Sequence, residues 1–114
     1  MTSPEFYPQP ITSLPQADLA FEGVTAYLLQ GEETQTVFFR FPAGVEVPPH
    51  SHCAQWGVML QGEMELAIGE ETLALKKGDT YFIPEGVIHY AKTRTDSWAM
   101  DVFFDPKRYR AKKA

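Results

Sequence analysis

The sequence is poor in features that would brace, export or strongly charge a protein. It holds one cysteine, Cys53, so no disulfide can form within the chain. No apolar run approaches the roughly 20 residues that a membrane helix needs, and no membrane partner is expected. Residues 1–10 carry neither a basic cluster nor an apolar core. No secretory signal is expected, and a soluble cytoplasmic protein is the simplest reading. Positive charge is scarce before position 107. Lys107, Arg108, Arg110, Lys112 and Lys113 supply five of the ten basic residues, and the rest of the chain carries a net charge of −10. So acidic a body is a poor partner for phosphate backbones, so no nucleic-acid partner is expected. The basic tail, 105–114, reads as a solvated end that forms one short helix or frays. No convincing 3.6-residue periodicity precedes residue 105, which argues against a helical bundle. There is no glycine-rich phosphate loop and no internal repeat.

What is present suits one globular domain over 1–114, with 44% hydrophobic and 22% charged residues. Aromatic residues make up 13%, enough to fill a barrel interior. Nine prolines and eight glycines imply many turns and short strands. Pro4, Pro8, Pro10 and Pro15 make 1–20 an extended arm rather than a helix. Its Phe6, Tyr7, Ile11 and Leu14 need an apolar surface, on a neighbouring strand or a second subunit. Strand-like runs follow at 24–29, 36–41, 45–47, 55–61, 63–68, 72–75, 80–83, 87–93 and 98–104, with Pro48 and Pro49 ending the third. Breaks every eight to twelve residues are the rhythm of a sandwich or barrel. The fold class is all-β, and a closed or rolled sheet is favoured because it limits exposed edges.

The chain has three histidines, His50, His52 and His89. His50 and His52 are two apart in an extended region, so their rings share a face. His89 lies early in a different strand, which a closing sheet can bring opposite the pair. A lone His-x-His is weak; the flanking glycines and prolines add specificity. The run GVEVPPHSHCAQ from Gly44 to Gln55, then six residues to Gly62, resembles the first cupin motif. The run GDTYFIPEGVIH from Gly78 to His89 resembles the second, after a spacing of fifteen residues.

The two motifs cover 44–93. The resemblance implies a double-stranded β-helix, the jelly-roll barrel. It also implies one divalent metal inside on His50, His52 and His89, with Gln55 as fourth ligand. Two positions depart from the family pattern: Gln55 stands where glutamate is usual, and Thr93 where asparagine is common. An amide oxygen brings no charge, so the ion keeps its full charge and binds more weakly, but is the stronger Lewis acid. Imidazole ligands leave Zn, Ni, Fe and Mn all open.

Several other residues merit weighing. Cys53 has the opposite parity to His52 and is expected to point away. Trp56 is expected on the outer face. Gly57 and Met59 share the parity of Gln55, so both face inward, with Gly57 leaving room for a ligand beside the metal. Phe39, Met59, Tyr81, Ile83 and Phe103 are candidates to line an apolar pocket. Arg40 is expected to face solvent, as are Glu63 and Glu65. The leading function is a metal-dependent enzyme (dioxygenase, lyase, isomerase or cyclase) on a small polar or aromatic carboxylate or carbonyl compound. Tyr81 or a metal-bound hydroxide would be its base. The alternative is a non-catalytic small-molecule-binding or sensing module. Cupins of this kind commonly dimerise, so a homodimer burying Ile11, Leu14 and Trp56 is expected.

Overall fold

Among the described residues, nine strands form where β-prone runs alternate with glycine and proline turns. A computed structural model describes residues 5–113. The strands are β1 (Thr25–Gln30), β2 (Gln35–Phe41), β3 (Glu46–His50), β4 (Gln55–Gln61), β5 (Met64–Ile68), β6 (Glu71–Leu75), β7 (Thr80–Ile83), β8 (His89–Thr93) and β9 (Ser97–Phe103). They build two antiparallel sheets, ordered β1-β2-β9-β4-β7 and β3-β8-β5-β6. The sheets face each other as the halves of a jelly-roll barrel.

Alternation sets what the central strands bury. Along β2 and β9 every second residue is buried. Val37, Phe39, Met59, Ile83 and Phe103 from one sheet pack with Met64, Leu66 and Leu75 from the other. The outer face of the larger sheet carries Trp56, which is exposed and pairs in register with the exposed Phe82.

Three expectations need correction. The arm is not wholly extended: α1 (Gln9–Thr12) is one helical turn, with Pro10 in its first turn, where no backbone N–H is required. The arm is held by Tyr7, whose buried hydroxyl donates to the Phe39 carbonyl at 2.6 Å. Pro4 lies outside the described residues. Second, β3 continues through Pro48 and Pro49 with a register shift before His50. It is an edge strand, where a missing donor breaks no ladder on the open side. Third, no helix forms over the described part of 105–114, and the tail is not free. Asp18 N donates to Arg110 O at 2.8 Å and Lys112 N to Gln16 O at 2.7 Å. Tyr109 packs against Phe39 and Phe103. The arm satisfies the tail's backbone, and Tyr109 buries an apolar face that a solvated end would expose. Among the described residues no helix is long and apolar enough to cross a membrane.

Candidate metal centre

Sheet pairing brings the three histidines together. In the β3–β8 ladder His50 stands directly opposite His89, and their ring centroids are 4.2 Å apart. His52 follows in the loop after β3. The Pro84–Gly86 turn fastens that loop, because Gly86 N donates to His52 O at 3.0 Å. The His52 ring then lies 5.1 Å from His50 and 4.7 Å from His89.

Each ring presents the same nitrogen. Nδ1 of His50 bonds Pro48 O at 2.9 Å, Nδ1 of His52 bonds Cys53 O at 2.7 Å, and Nδ1 of His89 bonds Val87 O at 3.0 Å. A carbonyl only accepts, so each Nδ1 carries a proton and Nε2 is the atom each ring has left to ligate with. The ligand atoms of the three residues lie within 4.8 Å of one another. Points so spaced share a centre no more than about 3 Å from each, near the metal–nitrogen length of about 2.1 Å. Burial holds the His52 imidazolium down to about 4, and the Arg108 charge and the other two rings push the same way against the Cys53 carbonyl. Burial likewise lowers His89. A divalent ion requires neutral imidazoles with free Nε2 atoms; burial favours that form at His52 and His89, and the three rings are close enough to hold a metal ion.

The cluster opens onto a mostly apolar cavity of about 80 Å³. Phe39, Tyr81, Ile83, Phe103 and Gln55 line it with the histidines. Gly57 and Met59 do not. Met59 is fully buried in the core. Gly57 leaves room for a protein side chain instead of a ligand: a Cβ there would overlap the Tyr81 ring.

The residue missed from sequence is Asp101 on β9, 3% exposed and also lining the cavity. Tyr81 Oη donates to its Oδ1 at 2.7 Å, and Gln55 Nε2 donates to its Oδ2 at 2.5 Å. Burial raises its pKa to about 7 despite those two hydrogen bonds, which act to lower it. A signal was present. Asp101 shares parity with Ala99 and Phe103, so the alternation alone places an acid on the inner face. The Tyr81 hydroxyl, expected as a base, is committed to Asp101, and burial with that carboxylate raises its pKa well above the usual phenol value.

Arg108 was also passed over, as part of a solvated tail. Its guanidinium lies 4.3 Å from the Tyr109 ring centroid and 5.6 Å from that of Phe103. Its Nε is buried without a hydrogen-bond partner among the described residues. It lines a depression that shares His50, Leu19, Phe21 and Tyr109 with the cavity. Arg40 sits elsewhere, paired with Asp96 at 3.5 Å and half-exposed. Cys53 packs partly buried against the core, and burial raises its thiol pKa. Thr93 serves a turn, donating to Pro42 O at 2.7 Å and accepting from Val45 N at 2.9 Å.

Comparison with known proteins agrees with this architecture. The Cupin domain family model matches residues 37–104. An RmlC-like cupin from Shewanella frigidimarina is similar at 26% identity, TM-score 0.76, covering 93% of this chain and 94% of the other. KdgF from Halomonas sp. is similar at 26% identity, TM-score 0.72, over 81% and 88%. A variant oxalate decarboxylase from Bacillus subtilis shares the fold at 20% identity, TM-score 0.73, over 84% of this chain but 28% of that one. No curated protein sequence matches.

Proposed function

From the premise that the chain belongs to the cupin family, we propose that it is a metal-dependent enzyme acting on a small carboxylate or carbonyl compound. The supporting observation is that a buried carboxyl, Asp101, lines the same cavity as the three histidines. His50, His52 and His89 would hold the ion, with Gln55 as fourth ligand. A divalent ion bound there supplies a Lewis acid for a carbonyl or carboxylate oxygen.

The chain's own residues supply the rest. Ionised Asp101 has lone pairs beyond those used by Tyr81 and Gln55. It can take a proton from substrate and return it, which favours lyase or isomerase chemistry over oxygen chemistry. Arg108 Nε, without a hydrogen-bond partner among the described residues and on the depression beside the cavity, suits an anionic group of the substrate. Phe39, Phe41, Ile83 and Phe103 exclude water around it. A cavity far below the roughly 300 Å³ of drug-sized sites admits only a small molecule or one end of it.

The test is metal analysis of untagged protein, then a panel of small keto and hydroxy acids followed by proton NMR in deuterated water. Turnover or solvent-deuterium uptake that disappears in Asp101→Asn, assayed at metal concentrations that saturate both proteins, supports the reading. Saturable binding without chemistry would instead make the protein a small-molecule sensor. Protein free of metal after supplementation would remove the proposal's basis.

A further inference from the structure

We propose that Asp101, besides its proton-transfer role, positions a ligand of the metal centre, locking the Gln55 amide with its carbonyl oxygen toward the three histidines. The inference rests on the reading of that cluster as a metal site. A glutamine amide is nearly two-fold symmetric in shape, and rotation of its terminal torsion exchanges oxygen and nitrogen at little cost. Only the oxygen can ligate a cation; an NH₂ turned to the ion repels it. A glutamine ligand therefore needs a neighbour that distinguishes its two ends.

Asp101 is that neighbour. An ionised carboxylate accepts hydrogen bonds and donates none. It takes Gln55 Nε2 at 2.5 Å. Flipping the amide would set its oxygen against Asp101 Oδ2 in a buried place, losing a charge-assisted bond and adding repulsion. With the nitrogen engaged, the oxygen is left to the cavity, where Gln55 and the histidines meet.

Asp101 is itself unable to turn away. Its other oxygen takes the Tyr81 hydroxyl at 2.7 Å. Its backbone lies in β9 between β2 and β4, opposite Val37 on one side and Gly57 on the other. Gln55 is two residues from Gly57 on β4, so the two side chains are diagonal neighbours on one face of the sheet.

The proposal is tested by a double-mutant cycle read as Co(II) affinity, by chelator competition, and as the Co(II) visible spectrum. The proteins are wild type, Asp101→Asn, Gln55→Ala and the double variant, with His89→Ala as the control for the centre itself. Asp101→Asn should weaken binding about tenfold or more, as loss of a ligand's hydrogen-bond partner does, and change the spectrum. Gln55→Ala should do the same, and adding Asp101→Asn to it should change neither readout further. Tyr81→Phe, which frees one oxygen of Asp101, should give a smaller loss in the same direction. Equal cobalt affinity and spectrum in wild type and Asp101→Asn would overturn the positioning role. So would a full Asp101 effect persisting in the Gln55→Ala background, because the carboxylate would then act on the ion by charge alone. Wild type that binds no cobalt, or His89→Ala that binds it undiminished, would overturn the metal centre and this inference with it. Melting temperatures of the metal-free variants report folding separately.

Discussion

Tyr81 reaches Asp101 across a glycine: the two belong to β7 and β9, and Gly57 of β4 lies between them in one register row. The hydroxyl covers that gap to donate at 2.7 Å. Any side chain at 57 would occupy the space of the Tyr81 ring. One small residue thus permits a buried bond that spans three strands.

Gly57→Ala should therefore push Tyr81 out of its place and break its bond to Asp101. Overpacking of this kind costs about 1 to 3 kcal/mol. Urea denaturation should show a lower midpoint, with the tyrosine environment altered in near-ultraviolet circular dichroism. A variant as stable as wild type, with an unchanged spectrum, would mean that Tyr81 does not need the space left by Gly57.

Removing one imidazole should remove the ion's effect on stability. A ligand that binds only the folded state at a hundred times its Kd stabilises by about 2.7 kcal/mol. Zinc or nickel should raise the melting temperature of wild type but not of His89→Ala. His50→Ala and His52→Ala should behave alike, since the three Nε2 atoms act as one set. Thermal shift with and without added metal decides this.

The pH dependence of the metal-free protein carries the signature of Asp101. Its folded pKa is about 7, against 3.8 ordinarily. Between those values the folded protein keeps a proton that the unfolded chain has released. Keeping that proton favours folding; the stability it contributes is fully present below about pH 4 and is lost as pH rises to about 7. His52, lowered to about 4 from 6.5, works the other way, and its contribution is lost as pH falls through that window. Asp101→Asn removes only the first effect. Relative to wild type it should gain up to about 4 kcal/mol between pH 4 and pH 7, on top of any constant offset. Urea titrations at four or five pH values give the difference directly, and a flat difference would contradict the buried carboxyl.

Arg108→Gln should weaken the binding of small carboxylates while leaving metal affinity near wild type. A hydrogen bond to a charged group contributes about 1.5 to 3 kcal/mol, roughly tenfold to a hundredfold in affinity. Calorimetry with the metal-loaded protein and short keto acids would show it. Equal loss for uncharged analogues would point instead to disturbed packing, because Arg108 also stacks on Tyr109.

Much of the molecule was legible in its residues. Runs of β-prone residues bounded by glycine and proline breaks located the nine strands of the described residues to within a few positions. The three histidines were legible as a set because the glycines and prolines around them match the two cupin motifs, Gly44 to Gly62 and Gly78 to His89. The boundaries of β3 were not, because a Pro–Pro pair ends a central strand but is tolerated on an edge, and edge position depends on the sheet order. The single turn of α1 was hidden by its prolines.

By itself, then, the sequence determined the all-β class, through β-prone runs and turn chemistry that act over a few residues, and its resemblance to the two cupin motifs implied the barrel and the meeting of His50, His52 and His89. Only the tertiary structure decided that Asp101 takes both Gln55 and Tyr81, that Gly57 makes way for Tyr81, and that Arg108 in the basic tail returns beside the cavity. Those contacts depend on the register of β4, β7 and β9 and on the docking of the tail against the arm. Such long-range packing joins segments 20 to 46 residues apart for the Asp101 bonds, and no local pattern encodes it.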